Sequence, residues 1–394
     1  MTELYGRNDR RWELGPKITA IGGGTGLSTM LRGLKNYTRN LTAVVTVADD
    51  GGGSGVLRQD LGMPPPGDIR HCMEALANVE PVMGELLSYR FPKDSGALGG
   101  QSFGNLILAA LNGISPSFDQ AVARMSEVLA ITGRVLPVTN ENIQLEATFE
   151  NGSHVVGESR IFQFKKEQDC RIGHVRLLPE HPPALPATLQ AIDEADLILL
   201  GPGSLYTSVI PNLLVDGVSE AIRRSDALKV YICNIMTQDG ETEDMTASDH
   251  VAALLAHGGT GLVDVCLCNS APVRPGLLER YREEDAVPIR VDRDRIEAMG
   301  VEVVERPLAS ETSDYARHSI ARLSAAVMEL FGERAVRVAP DRELPSVCPP
   351  SSARRSRWTS TGPPNRRRPG SGSFSLRTQG SWRPSGRPTA PTRQ

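Results

Sequence analysis

The sequence lacks the cysteine spacing of a metal or redox motif. Its six cysteines lie at positions 72, 170, 233, 266, 268 and 348, and no two of them form a CxxC pair. Most of them lie in apolar runs that resemble strands, whereas a disulfide framework or a structural zinc site would show regular, closely spaced pairs. We therefore expect reduced cysteines that pack in the core.

Long apolar runs are absent as well. No N-terminal stretch has the length of a signal peptide or a membrane span, and residues 1–16 are polar and carry three arginines. A membrane-spanning helix needs about 20 consecutive apolar residues. We expect a cytoplasmic protein without a membrane span. Because 40% of the residues are hydrophobic, the chain has enough apolar side chains for a substantial core.

Acidic residues are missing from the C-terminal end of the chain. Residues 344–394 carry ten arginines and no aspartate or glutamate, so without them the net charge changes from −4 to −14. This acidic remainder argues against nucleic-acid binding by the core, which would require a basic face. Residues 341–394 are rich in Arg, Pro and Ser and predict a disordered tail. There are two alternatives: the tail binds nucleic acid or anionic lipid, or it is not native sequence.

Apolar strands, glycine-rich turns and helical patterns alternate from residue 17 onward. After a leader over 1–16, residues 17–335 predict one α/β domain of the Rossmann-like, three-layer α/β/α type with a mostly parallel sheet. Between 135 and 180 the period changes, and Asn151-Gly152 gives a hairpin signal, which predicts an antiparallel insert on the main sheet. The last helix is predicted over 313–331, and the main strands over 18–21, 41–48, 196–200, 230–234 and 263–268.

The first glycine-rich turn is Gly22-Gly23-Gly24-Thr25-Gly26. It leads from a strand into a helix, so that unpaired backbone N–H groups at the helix start and the Thr25 hydroxyl can hold a phosphate. The turn lacks both the GK[ST] ending of a Walker A loop and the glycine spacing of a dinucleotide fingerprint. For this loop taken alone, a tight turn without a ligand is the alternative.

The second glycine-rich turn, residues 49–55, ends the next strand and begins with two aspartates. We predict that the Asp50 carboxylate contacts a ribose hydroxyl or Mg²⁺, since carboxylates bind both. The following Gly51 has no side chain and leaves space beside it. A helix or turn cap is the alternative for Asp50. Arg58 follows and is a candidate for neutralising phosphate. Asp68, after a proline-rich turn, is expected to cap the helix that begins at Ile69.

Two further glycine-rich turns follow later strands and helices. Asn105 begins a helix as either a cap or a contact to a base or sugar, and Ser204 and Thr207 lie at the start of another. Asn234 ends a further strand. Ligands of open α/β sheets bind at the carboxyl ends of the strands, so we expect these turns to meet there. The histidines at 71, 250, 257 and 318 have no metal spacing and are expected to be structural.

Six segments taken together resemble the YvcK/CofD-like family, and the YvcK branch most closely. They are residues 21–27 (IGGGTGL), 47–55 (VADDGGGSG), 65–70 (PPGDIR), 102–106 (SFGNL), 201–208 (GPGSLYTS) and 233–238 (CNIMTQ). The resemblance extends from about residue 17 to 331. Gly53 stands where the family usually has serine and Val56 where it usually has arginine, which weakens phosphate neutralisation at the second turn.

For the YvcK branch, the resemblance implies a Rossmann-like gluconeogenesis factor that binds a UDP-sugar such as UDP-N-acetylglucosamine. Members of this branch are linked to morphogenesis and cell-wall synthesis during growth on gluconeogenic carbon sources, as regulators. The resemblance therefore implies no catalytic residues and no required cofactor, with Mg²⁺ left open. Expected partners are the UDP-sugar and a cell-wall or regulatory protein, and a homodimer is a further alternative.

Carried over residue by residue, the resemblance places the first turn at the phosphates and Asp50 at the ribose, sugar or metal ion. It places Tyr281 and Arg317 where family members close over the nucleotide sugar. The complete predicted binding set is Gly22, Gly23, Gly24, Thr25, Gly26, Asp50, Gly51, Asn105, Gly203, Ser204, Tyr206, Thr207, Asn234, Tyr281 and Arg317.

Two other functions compete with this one. Proteins of the CofD branch transfer 2-phospholactate from a nucleotide-activated donor to the deazaflavin precursor Fo with Mg²⁺, and here Asp50 would be the metal ligand. An NAD-linked oxidoreductase also fits the α/β pattern. It is the weaker alternative because the dinucleotide fingerprint and an evident acid or base for hydride transfer are both missing.

Overall fold

The computed structural model describes residues 15–283, 285–310 and 315–338. Most of the predicted leader and all of the predicted tail lie outside these ranges, so the domain boundaries stay predictions. No helix in the described ranges is both long enough and apolar enough to cross a membrane.

The described chain contains ten strands in two sheets. They are β1 (Ile18–Gly22), β2 (Leu41–Val45), β3 (Arg134–Pro137), β4 (Gln144–Phe149), β5 (His154–Val156), β6 (Ile172–Leu178), β7 (Leu197–Leu200), β8 (Leu228–Ile232), β9 (Val265–Asn269) and β10 (Glu302–Arg306). Seven of them form a sheet in the order β10-β9-β8-β7-β1-β2-β3, and all neighbours are parallel. The predicted α/β fold with a mostly parallel sheet is confirmed.

Helices cover both faces of this sheet. They are α1 (Gly24–Leu34), α2 (Gly52–Leu61), α3 (Gly67–Leu76), α4 (Pro81–Ser88), α5 (Phe103–Gly113), α6 (Phe118–Val128), α7 (Glu158–Gln168), α8 (Pro186–Asp193), α9 (Ile210–Leu213), α10 (Val218–Arg224), α11 (Ala247–Gly258), α12 (Pro275–Arg282), α13 (Arg293–Ala298) and α14 (Ile320–Val338). Every residue of β1, β2 and β7 is buried, as expected for parallel strands covered on both sides.

The β1–α1 unit forms because its hydrophobic period changes at the glycines. Before them, the strand is apolar without interruption. After them, Leu27, Leu31 and Leu34 recur at helical spacing and are fully buried, and α1 packs against α3 and α14. Their burial fixes α1 against the sheet with its N-terminus at the carboxyl end of β1.

The strand order reverses between β1 and β7. From β1 the chain continues outward to β2 and β3, whereas β7, β8, β9 and β10 continue in the other direction. The loops that leave β1 and β7 therefore turn to opposite faces and leave a crevice between them at the carboxyl edge. Open α/β sheets bind their ligands at such a reversal.

The insert differs from its prediction in two ways. Residues 134–137 form β3, the edge strand of the main parallel sheet, while β4, β5 and β6 form a separate antiparallel sheet in the order β5-β4-β6. The partial exposure of an edge strand gives β3 an alternating pattern, which explains the wrong prediction. The hairpin at Asn151-Gly152 is confirmed, but α7 was not predicted, because only Ile161 and Lys165 of that helix are buried.

Three local expectations also change. Strand β10 was not predicted. Helix α14 begins at Ile320 rather than 313, although 311–314 lie outside the described residues. Asp68 does not cap α3, because the helix begins at Gly67, two residues before the predicted Ile69, and Asp68 lies in its first turn. There its carboxylate still faces the positive end of the helix dipole.

Candidate functional site

A cleft of about 650 Å³ lies at the carboxyl edge of the sheet, where the strand order reverses. Loops after β1, β7 and β8 form its walls, together with the end of α12 and the segment before α14. Nine of the fifteen predicted residues line it: Gly23, Gly24, Thr25, Gly26, Gly203, Ser204, Asn234, Tyr281 and Arg317. The expectation that these turns meet at the carboxyl ends of the strands thus holds for most of the predicted residues, which line one cavity.

The N-terminus of α1 opens into the cleft. Gly23 precedes the helix in an extended conformation, no side chain caps the helix, and its first turn has no acidic residue. A Cβ on Gly23 would lie 2.4 Å from a carboxylate oxygen of Asp68, and one on Gly26 would lie 2.6 Å from the carbonyl oxygen of Pro202. Glycine is therefore required at both positions, and the N–H groups of the first turn are left without a side-chain cap, which is the arrangement that can bind an anion.

The turn after β7 is fixed from the β8 side. The Asn234 side chain donates to the Gly203 carbonyl (2.9 Å) and accepts from its N–H (3.3 Å), while the Ser204 hydroxyl donates to Gln238 (2.9 Å). These bonds keep the backbone of the turn beside α1. Asn234 therefore shapes the wall of the cleft as well as lining it.

Tyr206 and Thr207 of the same turn do not line the cleft. Their backbone N–H groups donate to the carboxylate of Glu241 (2.8 and 3.0 Å), and the Tyr206 hydroxyl donates to the carbonyl of Ile172. Burial raises the pKa of Glu241 to about 7. The N–H donors of this turn are thus already bound by Glu241 of the chain itself, which lies 35 residues from Tyr206 in sequence.

On the opposite wall, Tyr281 and Arg317 meet through the segment before α14. The Tyr281 hydroxyl accepts from the N–H of Ala316 (3.2 Å), and the Arg317 guanidinium lies 4.7 Å from the centre of the Tyr315 ring. This contact holds the arginine over the aromatic face at the mouth of the cleft. The predicted pair therefore lies together, although the two residues are far apart in sequence.

The acidic turn after β2 lies outside the lining of the cleft. Asp49 accepts from the N–H of Gly51 (2.7 Å), and one oxygen of Asp50 accepts from both the N–H (2.9 Å) and the hydroxyl (2.6 Å) of Ser159. Asp50 therefore holds the first turn of α7, as in the alternative of a cap. Gly22 ends β1 behind the cleft and, like Gly51, does not line it.

Buried carboxyl groups surround this turn. Burial raises the pKa of Asp49, and repulsion from Asp68 raises it further; the pKa of Glu158 is raised well above its usual value by burial and then by Asp49 and Asp68. Within the described residues, no three carboxylates converge as a ready set of metal ligands. Mg²⁺ commonly uses one or two carboxylates together with water and phosphate oxygens. These groups therefore fit a magnesium site completed by water and a ligand phosphate, rather than one made of protein ligands alone.

Asn105 is buried away from the cleft. Its side-chain oxygen accepts from Arg70 (2.9 Å) and its amide donates to Ser54 (3.4 Å), whereas Ser102 provides the cap of α5. Neither predicted role for Asn105 therefore corresponds to its position: it is neither the cap nor a lining residue. It connects α3, α5 and the turn after β2 instead.

Several lining residues were not predicted. They include Thr29, Ser208, Phe162, Lys166, Gln238, Asp239 and His318. Thr29 was accessible from sequence, because it follows Thr25 by one helical turn. Lys166 comes from the unpredicted α7 and pairs with Asp239 (2.5 Å). Burial lowers the pKa of His318 to about 4, and within the described chain its Nε2 is a buried atom without a hydrogen-bond partner.

Comparisons with known proteins agree with this fold and identify its family. The family model for the 2-phospho-L-lactate transferase CofD matches residues 18–309. A gluconeogenesis factor of Bacillus subtilis is 47% identical over 318 residues, which cover 81% of this chain and 99% of that protein. A relative from Thermoanaerobacterium thermosulfurigenes is 52% identical over 317 residues, which cover 80% of this chain and 97% of the relative.

A solved structure supports the same relationship. The crystal structure of a Bacillus halodurans protein superposes with a TM-score of 0.75 at 45% identity, covering 79% of this chain and 98% of that one. The family-model match over residues 18–309 includes all seven strands of the parallel sheet. The chain belongs to the CofD family, in the YvcK branch that contains the gluconeogenesis factors.

Proposed function

We propose that the protein binds a nucleoside diphosphate sugar of the UDP-N-acetylglucosamine type in the cleft and acts as a regulator rather than an enzyme. The observation that carries the proposal is the uncapped N-terminus of α1, which opens into the cleft of about 650 Å³ at the reversal of the sheet. In the cell, this binding would link sugar-nucleotide supply to morphogenesis and cell-wall synthesis during gluconeogenic growth.

The diphosphate fits the first glycine-rich turn. Its negative charge would meet the N–H groups of Gly24, Thr25 and Gly26 at the positive end of the α1 dipole. The exposed Thr25 hydroxyl adds a donor, and Arg317 on the opposite wall supplies the counter-charge. A cavity of this volume lies within the range that drug-sized ligands occupy.

The titratable side chains of the cleft suit binding better than proton transfer. Lys166 and Asp239 form an ion pair with each other, and the low pKa of His318 keeps its imidazole neutral near pH 7. A general base works best with a pKa near the operating pH. This distribution supports ligand binding rather than acid–base catalysis in the cleft.

A transferase of the CofD type is the second candidate, because the CofD family model covers residues 18–309. Asp68 lies against Gly23, so the carboxyl groups beside the second turn adjoin the proposed phosphate site. Asp49, Asp50 and Asp68 would be the residues to hold Mg²⁺ there, which would neutralise phosphate charge. In that case the chain would orient a nucleotide-activated donor in the same cleft.

Isothermal titration calorimetry separates the candidates. We expect UDP-N-acetylglucosamine to bind without Mg²⁺, and GDP, GTP and NAD to bind more weakly. Thr25→Val and Arg317→Ala should each weaken binding by about 1 to 3 kcal/mol through lost hydrogen bonds. Thr25→Ser, which keeps the hydroxyl, and Arg224→Ala, which removes an exposed arginine of a surface ion pair, are the matched controls.

Two results would contradict the proposal. If GDP or GTP bound only with Mg²⁺ while the UDP-sugar did not bind, the transferase candidate would be favoured. If both variants bound the UDP-sugar with unchanged affinity, the ligand would have to occupy another part of the chain.

A further inference from the structure

Three cysteines converge between β8 and β9. The two strands are parallel, with Tyr231 level with Cys266, so that Cys233, which follows β8, is level with Cys268. The N–H of Cys233 extends the ladder by donating to Leu267 (3.0 Å). Because side chains two residues apart share a face of a strand, all three thiols project to the same side of the sheet.

The three sulfur atoms are close enough to share one ion. All of them lie within 4.8 Å of one another, and the Sγ atoms of Cys266 and Cys268 are 3.5 Å apart. Bonds between zinc and sulfur are about 2.3 Å, which corresponds to sulfur atoms about 4 Å apart around a planar centre. The thiols therefore already have nearly the spacing of a three-coordinate site.

The cluster is buried but has an approach from solvent. The side chains of Cys233, Cys266 and Cys268 are no more than 1% exposed. Cys233 and Cys268 also line a second cavity of about 300 Å³, whose other walls include Val273, Leu278 and Ile289. The cavity gives an ion a path to the sulfur atoms and leaves space for water or a small molecule as a fourth ligand.

Neighbouring side chains leave the fourth position to such an exogenous ligand. Within the described residues, no histidine, aspartate or glutamate joins the thiols as a further ligand of the same group. Asn269, which also lines the second cavity, uses its side-chain oxygen to accept from the N–H groups of Ala271, Leu308 and Ala309. The donor set therefore consists of sulfur alone, and soft donors of this kind select thiophilic cations rather than Mg²⁺ or Ca²⁺.

We propose that Cys233, Cys266 and Cys268 form a binding site for a thiophilic d¹⁰ cation, either Zn²⁺ or Cu⁺. On binding, each S–H bond breaks, its proton passes to solvent, and the sulfur electron pair forms the bond to the metal; no electron is transferred. None of the three cysteines lines the proposed nucleotide cleft, although the second cavity shares Asn234 and Ile235 with it. The cation site therefore stands or falls independently of the proposed nucleotide ligand.

The experiment is a metal titration of the full chain, purified metal-free under a phosphine reductant and without oxygen. One arm uses Zn²⁺ and the other Cu⁺, each against a chelator of known affinity, with metal content measured after desalting. We expect one equivalent to be retained in at least one arm. Calorimetry in buffers of different ionisation enthalpy should show release of up to about three protons per ion.

Single substitutions connect the bound ion to these thiols. Cys233→Ser, Cys266→Ser and Cys268→Ser should each lower the affinity by about 100-fold or more, since even losses outside the ligand shell reduce metal affinity by up to about 100-fold. Cys170→Ser and Cys348→Ser are the controls and should keep the wild-type affinity. Circular dichroism of each variant shows whether the fold is retained.

Two outcomes would overturn the proposal, and the first needs only wild-type protein. Failure to retain either ion would leave the thiols as ordinary core residues. Retention of an ion with equal affinity by all three cluster variants, or its loss in Cys170→Ser or Cys348→Ser, would assign the metal to other sulfur atoms.

Discussion

The first and second glycine-rich turns are similar in sequence and differ in the contacts that they make. The first, residues 22–26, contains no acidic residue and leaves the start of α1 uncapped at the cleft. The second, residues 49–55, uses Asp49 to bind its own Gly51 N–H and Asp50 to hold the start of α7. The start of α2 also has no side-chain cap and no acidic residue in its first turn, so neither glycine content nor capping separates the two turns. What separates them is that only the first of the two turns lines the cleft.

The carboxyl groups beside the second turn also affect the first. Burial and repulsion from neighbouring carboxylates raise the pKa of both Asp49 and Glu158, so this region disfavours further negative charge. Because Asp68 of the same group lies against Gly23, a phosphate at the first turn would be repelled by it unless a cation lay between them. The turn after β7 combines both cases, with Gly203 at the cleft and Tyr206 bound to Glu241.

The largest effect is expected when a methyl group is added to each turn. In Gly26→Ala, the Cβ would lie 2.6 Å from the Pro202 carbonyl oxygen and would force the first turn away from the turn after β7. We expect a loss of up to about 3 kcal/mol in unfolding free energy, and binding of UDP-N-acetylglucosamine weaker by about 100-fold as the N–H groups move. Chemical denaturation and calorimetry measure the two effects.

The matched variant in the second turn is Gly52→Ala. Gly52 has a φ of +49° and no atom within 4 Å of an added Cβ, so the cost is only that of a left-handed alanine, about 1 kcal/mol. Nucleotide affinity should stay at the wild-type value. Equal losses of affinity in the two variants would remove the distinction between the turns.

A smaller effect is expected at Glu241. A substitution there tests whether a turn whose backbone N–H groups donate to a carboxylate is stabilised by that carboxylate. Burial raises its pKa from 4.5 to about 7, so the folded state keeps a proton that the unfolded chain releases between these values. Stability from this group is therefore greatest below pH 4.5 and decreases as the pH rises to 7. In wild type we expect the unfolding free energy to decrease by about 2 to 3 kcal/mol through this group as the pH rises, and Glu241→Gln should abolish that decrease.

Denaturation at about pH 5 and about pH 8 measures this difference. Relative to wild type, Glu241→Gln should gain stability at the higher pH, because glutamine can still accept from the N–H groups of Tyr206 and Thr207 without ionising. Glu220→Gln, on an exposed face of α10, is the control and should show the wild-type profile. A variant whose stability differed from wild type by the same amount at both pH values would show that the pKa of Glu241 is not raised in the folded state.

Local patterns predicted much of this molecule. The β1–α1 unit was accessible because an unbroken apolar run, a glycine turn and helical spacing follow one another within 17 residues. The rule that ligands bind at strand ends then placed Gly24, Ser204 and Asn234 in one crevice, and the structure brings them together. Each of these conclusions uses information that is contiguous in the chain.

Side chains whose partners are distant in sequence were less accessible. Asp50 binds Ser159, 109 residues away, and Asn105 binds Arg70, 35 residues away, so spacing gave no sign of either contact. The cysteine cluster has the same origin, since Cys233 meets Cys266 only through the pairing of β8 with β9. Tertiary contacts between strands and helices decided which predicted residues face the cleft.

The smallest effect is expected at Asp50, where the two interpretations of the second turn differ most clearly. Asp50→Ala removes the acceptor for the N–H and hydroxyl of Ser159 at the start of α7, which should lower the unfolding free energy by about 1 kcal/mol. The affinity for UDP-N-acetylglucosamine should stay unchanged with or without Mg²⁺, because Asp50 does not line the cleft. Asp60→Ala, at an exposed position of α2, is the control. If Asp50→Ala instead weakened binding about tenfold or more, and only with Mg²⁺ present, the second turn would belong to the ligand site as a metal-binding loop.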